Sequence, residues 1–474
     1  MSRLLVYTVS MFAAIGGFLF GYDTGVISGV LVTPSFVRAF FPINSLVQGA
    51  IVSTLIAGAF VGSLVSGILA DRMGRKYTIL LASVIFILGA GLQSGAMNLG
   101  MLYAGRFVAG FSIGQLSMVV PLYQSEISSP DIRGRLISLQ QFAITVGIAA
   151  SFWVDYLCQG FYDDLAWRLP LGLQAAPAVI LAVGTIFLPF SPRWLIDKDR
   201  DEEGKRVIAD LRAGGDVFHP IVQEEYDEIK REVLLEREIA VGSYLDLFRG
   251  SIRRRVILGI TIQAFQQLTG INAIMYYAPL IFQMAGLPGI NSTLLAQGIN
   301  GIVNMTATVP AILFVDKWGR RPTLISGALI MGISMILVGS LLGGFKLGVN
   351  NVTPNTGASY STIVFIYTFV AGFAYSWGPI GWIYPSEIFP LSIRSKAISI
   401  STASNWLFNY IVGLLVPILI EKIGWVLMII FGTFGFIMAA SIYFFFPETK
   451  GRSLEEMDIV FGDVITDRDD PDKF

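Results

Sequence analysis

Asp23 places a carboxylate in the middle of the first membrane-length apolar run, within Gly16-Gly-Phe-Leu-Phe-Gly-Tyr-Asp-Thr-Gly-Val-Ile-Ser-Gly29. At the centre of a membrane helix an Asp costs about 2.5–3.5 kcal/mol on insertion scales, so it must face a partner or a wet cavity rather than lipid. Its expected partner is Arg106 in Gly105-Arg-Phe-Val-Ala-Gly110, at the mouth of another apolar run that continues to Tyr123. An acid and a base on separate spans of one bundle imply an aqueous path through it. Both residues are functional-site candidates on that ground alone.

The chain around them is a membrane protein by composition. With 54% hydrophobic and 14% charged residues, its 474 residues do not divide into soluble domains of ordinary size. The net charge is −1 and the basic residues form no run interleaved with aromatics, so no nucleic acid is expected. One cysteine, Cys158, excludes an intramolecular disulfide and a cysteine-based metal site, and the single His219 lies in a charged loop. Neither a metal nor a cofactor is expected. The apolar stretch from Leu4 runs on for over twenty residues without a small-residue cleavage site, which reads as a retained signal anchor.

Apolar runs long enough to cross ~30 Å of hydrocarbon recur near 4–30, 46–70, 77–97, 101–124, 136–157 and 169–189. After a charged interval they resume near 256–286, 295–315, 323–345, 361–385, 395–420 and 425–446. The expected fold is therefore an all-α membrane protein of twelve transmembrane helices. Lys and Arg gather in alternate loops: Arg72, Arg75 and Lys76; Arg133 and Arg135; 193–255; Lys317, Arg320 and Arg321; Arg394 and Lys396. By the positive-inside rule these loops and both termini are cytoplasmic. The Asn-x-Thr sequons at Asn291 and Asn351 fall in loops on the other side and are expected to carry glycans, whereas Asn304-Met-Thr lies inside a span.

Residues 190–255 read as two amphipathic helices, one from Asp201 that stops at Gly214-Gly215 and one from about Ile221 to Ile239. A mixed-sign solvated face explains them, and a calmodulin or lipid surface is the alternative. The expected organisation is a six-helix half over 1–190, a cytoplasmic linker over 191–255, a second half over 256–447 and a tail over 448–474, frayed after Glu455.

The two halves repeat. Asp71-Arg-Met-Gly-Arg-Lys76 recurs as Asp316-Lys-Trp-Gly-Arg-Arg321; Pro121-Leu-Tyr-Gln-Ser-Glu126, with Arg133 seven residues on, recurs as Ile383-Tyr-Pro-Ser-Glu387 with Arg394 seven on. Pro192-Arg193 closes the sixth span and Pro447-Glu-Thr-Lys-Gly-Arg452 the twelfth. Duplicated halves flanking a midplane cavity are a transporter architecture.

The ordered set Gly-Tyr-Asp-Thr-Gly, Pro-x-Tyr-x-Ser-Glu, Gln-Gln-Leu-Thr-Gly-Ile-Asn, Ser-Asn-Trp and Pro-Glu-Thr-Lys-Gly resembles a sugar porter of the major facilitator superfamily, close to fungal and plant monosaccharide transporters. The resemblance covers essentially the whole chain. It implies that Asp71, Arg72, Arg75, Glu126 and Arg133, with Asp316, Arg320, Arg321, Glu387 and Arg394, form ion pairs across the halves that break on inward opening. Positive-inside anchoring alone also explains the basic members, but not the repeated glutamates.

A neutral polyol wants donors and acceptors at fixed positions plus an apolar platform, and Gln, Asn and Trp supply these without charge. The seventh span carries Gln266, Gln267, Asn272, Tyr276 and Tyr277; Asn304 lies on the eighth and Gln141 on the fifth. Spacings of six and four put Gln266, Asn272 and Tyr276 on roughly one helical face. Trp382, Asn405, Trp406 and Phe20 match the family's remaining contributors. Buried amides also serve as interhelical glue, and tryptophans as interfacial belt residues, so those readings stay open.

The resemblance then implies transport of a monosaccharide by a monomer in the plasma membrane, with Asp23 as proton acceptor and Arg106 tuning it, since a cation favours the carboxylate and desolvation the acid. A uniporter of the same sugars or a transporter-like glucose sensor are the alternatives. No Walker loop, metal cluster or Ser/His/Asp grouping points to an enzyme.

Overall fold

The computed structural model describes residues 2–129, 132–161, 163–239, 247–248, 252–287, 289–347, 355–389, 393–451, 457 and 461. Asn351 and most of the tail beyond Gly451 lie outside these residues. In hydrocarbon every backbone N–H and C=O must be satisfied within its own segment, and among the described residues the chain answers with helices and no strand.

The first half comprises α1 (Ser2–Ala13), α2 (Ile15–Val30), the short α3 (Pro34–Ala39), α4 (Ser45–Ser94), α5 (Leu99–Ile127), α6 (Arg133–Cys158), α7 (Leu165–Leu173) and α8 (Ala175–Thr185). Between the halves stand α9 (Pro192–Asp197), α10 (Asp201–Arg212) and α11 (Pro220–Ile239). The second half comprises α12 (Ile252–Leu268), α13 (Ile271–Met284), α14 (Gly289–Trp318), α15 (Arg320–Gly344), α16 (Thr356–Tyr375), α17 (Trp377–Ile388), α18 (Arg394–Ile423) and α19 (Val426–Phe445). Ten stretches of described helix are long and apolar enough to cross a membrane by length and composition. One of them, α4, is two crossings hinged at Gly74 (φ 84°, ψ 164°), and α12 with α13 adds a crossing whose amides lower its hydropathy. The twelve expected spans follow.

Four spans are interrupted. The first breaks at Ala14 and the sixth at Gln174, each between helices that continue in the same direction. The seventh breaks at Thr269-Gly270, where Gly270 takes the left-handed conformation (φ 88°), and α13 is kinked again at Tyr277 ahead of Pro279. In the tenth the break falls at Ser376; Gly378-Pro379 sits in the first turn of α17, where a missing N–H costs nothing.

Three helix starts on the face away from the basic loops are capped by asparagine. The side chains of Asn44, Asn98 and Asn355 accept from the N–H groups of Val47, Met101 and Ala358 at 2.9, 2.9 and 3.1 Å. On the basic face α9 to α11 share a small core of Ile196, Ile208, Val222, Ile229 and Val233. Arg212 forks onto Glu225 at 2.8 and 2.9 Å and donates to Ile127 O at 3.0 Å, which ties this unit to the end of α5. The α9 helix was not expected from sequence; Ser191 caps it and Pro192 opens it.

Close crossings are built on glycine. A Cβ at Gly110 or Gly114 of α5 would run into the carbonyls of Leu55 or Ala59 on α4, and one at Gly58 or Gly62 of α4 into those of Phe107 or Phe111. Without side chains between them the two backbones approach closely, which is how membrane helices gain packing when lipid offers no hydrophobic drive. The consequence is testable with a single methyl. Gly110→Ala should destabilise the detergent-solubilised protein by about 1–3 kcal/mol, seen as a lower unfolding temperature. Gly91→Ala, where an added Cβ meets open space, should leave it unchanged or raise it.

Candidate functional site

Arg106 stands in the second turn of α5 and is fully buried, as is Asp23. From α5 its Nη1 donates to Asp23 Oδ1 on α2 at 3.2 Å and to Gln93 Oε1 on the distal half of α4 at 3.2 Å, while Nε donates to Ile51 O on the proximal half at 2.7 Å. One guanidinium therefore joins the first four spans. The expected Asp23–Arg106 pair is present. Gln93 was missed, being a lone amide in an apolar run with no spacing to mark it. Asp23 Oδ2 and Arg106 Nη2 have no hydrogen-bond partner among the described residues.

Beside this pair a cavity with an empty volume of about 440 Å³ lies between the halves. Seven of the expected sugar-site residues line it: Phe20, Gln141, Gln266, Gln267, Asn272, Asn304 and Trp382. Thr24, Ile144, Ile148, Ile271, Met275 and Phe373 complete the wall, so no charged side chain lines it. The amides are held by one another. Gln267 donates to Asn405 Oδ1 at 2.9 Å and accepts from Asn272 Nδ2 at 2.6 Å; Asn405 Nδ2 donates to Gln266 and Gln263 at 2.6 Å each. Gln266 reaches across the Ser376 break to Trp377 O at 2.8 Å, and Trp382 Nε1 donates to Gln141 Oε1 of the other half at 3.2 Å. Asn304 Oδ1 is buried without a partner.

Four expected residues stand behind the lining. Asn405 orients Gln266 and Gln267; Trp406 is fully buried, donates to Ser117 Oγ at 3.0 Å and packs on Phe20 with ring centroids 4.9 Å apart. Tyr277 donates to Gly413 O at 2.6 Å, and Tyr276 accepts from Asn409 Nδ2 at 3.1 Å. The shared helical face expected for Gln266, Asn272 and Tyr276 does not exist, because the left-handed Gly270 separates α12 from α13. Tertiary folding still brings Gln266 and Asn272 to one cavity. Gln263 was missed, although its spacing of three and four from Gln266 and Gln267 was available as a signal.

The charged motifs pair mainly within halves rather than across them. Arg75 contacts Glu126 at 2.6 Å and Asp71 at 3.8 Å; Arg320 contacts Glu387 at 2.5 Å and Asp316 at 3.0 Å. Arg394 donates to Phe389 O at 3.3 Å, Arg133 is partly buried at the start of α6, and Arg72 is exposed. Across the halves on this face the contacts include Ser395 to Asp71 at 2.9 Å, Ser399 to Ser63 O at 2.8 Å, and Arg135 with Asp316 at 3.9 Å. The Glu448 carboxylate accepts from the backbone N–H groups of Arg320 and Arg321 at 2.8 and 2.9 Å, capping α15, and Arg321 lies over the Tyr443 ring. On the opposite face Gln297 donates to Ser28, and Gly301 packs on Ala149. The halves therefore meet on both sides of the cavity. Asn291 is exposed on that opposite face at the start of α14, and Asn304 is buried.

The family model described as "Sugar (and other) transporter" matches residues 9–461. An MFS glucose transporter of Aspergillus flavus is 39% identical over 96% of this chain and 89% of its own length, and a high-affinity glucose transporter of Kluyveromyces lactis 39% over 97% and 86%. Among solved structures, the proton:xylose symporter XylE bound to 6-bromo-6-deoxy-D-glucose superposes with a TM-score of 0.85 at 29% identity, covering 97% of this chain and all of that one. The inward open conformation of XylE from E. coli gives 0.73 at 30% identity, over 96% and 99%. With its twelve-span fold and central polar cavity matched by a family model across nearly its full length, this chain belongs to the sugar (and other) transporter family of the major facilitator superfamily.

Proposed function

We propose that this protein carries a neutral monosaccharide across a membrane by alternating access, in symport with a proton taken up at Asp23. The observation that supports it most is a cavity lined by amides and aromatics without a charged side chain, beside a buried acid–base pair. Amides offer a polyol both donors and acceptors, while a carboxylate or phosphate would find no cation in the wall. The glucose and xylose named for the relatives agree with that chemistry.

Asp23 and Arg106 couple the proton to the cavity through adjacent residues. Thr24 follows Asp23 and lines the cavity, and Tyr276, within electrostatic reach of both charges, is next to the lining residue Met275. Protonating Asp23 removes its attraction for Arg106, so the arrangement of the first four spans depends on the proton. A driving force of about 100 mV plus about one pH unit is roughly 3.7 kcal/mol per proton, enough for several-hundredfold accumulation. Residues 1–190 and 256–447 act as the rocking units, 191–255 as their linker and 448–474 as the tail. Asp71, Arg72, Arg75, Glu126 and Arg133, with Asp316, Arg320, Arg321, Glu387 and Arg394, set the basic-face gate. The protein is a monomer of the plasma membrane with both termini cytoplasmic, and Asn291 and Asn351 carry glycans.

Asp23→Asn keeps size and hydrogen-bonding reach but removes the proton. In proteoliposomes this variant should bind sugar and exchange it across the membrane yet lose concentrative uptake. Retained accumulation with alkalinisation of the medium would overturn the coupling role, and a wild type that accumulates nothing under a pH gradient would identify a uniporter. Loss of folded protein instead would mean that the pair is structural, since an uncompensated buried charge costs about 3–5 kcal/mol.

Gln267→Ala and Trp382→Ala should each weaken sugar binding by about 1–3 kcal/mol, or roughly one to two decades in Kd, with folding intact. Equilibrium binding of labelled glucose to the purified variants measures this, and unchanged affinity in both places the site elsewhere. Competition by a sugar phosphate as strong as by glucose would exclude a neutral substrate.

A further inference from the structure

On the basic face, α12 and α19 diverge and leave a groove with an empty volume of about 1210 Å³. Three consecutive arginines open α12, and they are not equivalent. Arg255 is buried and donates to Ile388 O at 3.1 Å. Arg253 and Arg254 are exposed at the mouth of the groove, and no carboxylate pairs with either among the described residues. The Phe461 ring lies beside Arg254 and Arg255, 5.7 and 4.7 Å from their guanidiniums.

Below the arginines the walls turn apolar. Ile257, Thr261 and Phe265 follow Arg253 and Arg254 at spacings of three to four along one face of α12, and Phe445 stands opposite on α19. From Arg254 to Phe265 the groove runs about 16 Å at 1.5 Å per residue, along a direction that crosses the hydrocarbon. Ile257 and Phe445 are 47% and 65% exposed on the outer surface of the bundle, where lipid is the solvent.

We infer that this groove is a binding site for one anionic phospholipid, with the headgroup phosphate on Arg253 and Arg254 and an acyl chain along Ile257, Thr261 and Phe265. A cationic mouth at headgroup depth above an apolar channel matches both parts of such a lipid. A soluble anion would satisfy the arginines and leave the channel unused, and a zwitterionic lipid would bring its own cation to them. Occupancy here is independent of what the central cavity carries.

Native mass spectrometry of the full-length protein, delipidated in detergent and exposed to phosphatidylglycerol and phosphatidylcholine of equal chain length, tests the site. The wild type should retain one phosphatidylglycerol with roughly tenfold preference, and Arg253→Gln with Arg254→Gln should abolish that preference. Thr261→Trp, which fills the channel and keeps both arginines, should also lose the retained lipid, so the test survives if the double variant does not fold. Inorganic phosphate should not displace the lipid. Equal retention of the two lipids by the wild type, unchanged preference in the variants, or displacement by phosphate would each overturn the assignment. So would retention at background, which would leave the groove to the chain's own tail.

Discussion

A guanidinium cannot be left alone in hydrocarbon, and Arg106 organises the first half around that constraint. Its Nη1 donates to Asp23 on the first span and Gln93 on the third, and its Nε to a carbonyl of the second, so four helices are registered by one side chain. Isolated polar contacts between membrane helices contribute little, about 0.6 kcal/mol each. A buried ion pair differs because its disruption strands a charge.

On the basic face the same economy of charge is repeated. Arg75 with Glu126 and Asp71 closes one half; Arg320 with Glu387 and Asp316 closes the other. These clusters rigidify each half internally. Between halves the bonds include two serine hydroxyls, Ser395 and Ser399, and a long Arg135–Asp316 contact. Bodies that are stiff inside and lightly joined are suited to moving against each other. The second half adds Glu448, whose carboxylate caps α15 and whose neighbour Thr449 donates to Glu387 at 2.6 Å.

The cavity obeys a stricter accounting. Each amide in its wall that is turned toward another amide holds that neighbour in one rotamer, so Asn405 behind the wall is as necessary to Gln266 and Gln267 as their own helix. Gln266 donates to the Trp377 and Gly378 carbonyls just past the Ser376 break, and Gln263 donates to the Gly381 carbonyl, whose helical N–H partner is missing at Pro385. Irregular backbone at membrane depth is tolerated where it lines a cavity in this way.

Hydrophobic length, the alternation of basic loops and the paired motifs of the two halves were enough to read twelve spans and an internal repeat from sequence, because bilayer thickness and backbone satisfaction leave so few alternatives. The partnership of Asp23 with Arg106 was legible for a related reason: two ionisable groups in apolar spans need each other. Helical spacing could not predict which amides face the cavity, since Gly270 and Ser376 interrupt the spans that the periodicity assumed to be continuous. Nor could it find Gln93, whose role comes from Arg106 on the next span. Only tertiary structure decided that Trp406 stands behind Phe20 while Trp382 reaches Gln141 across the halves, because close packing at glycine sets which side of each helix is left open.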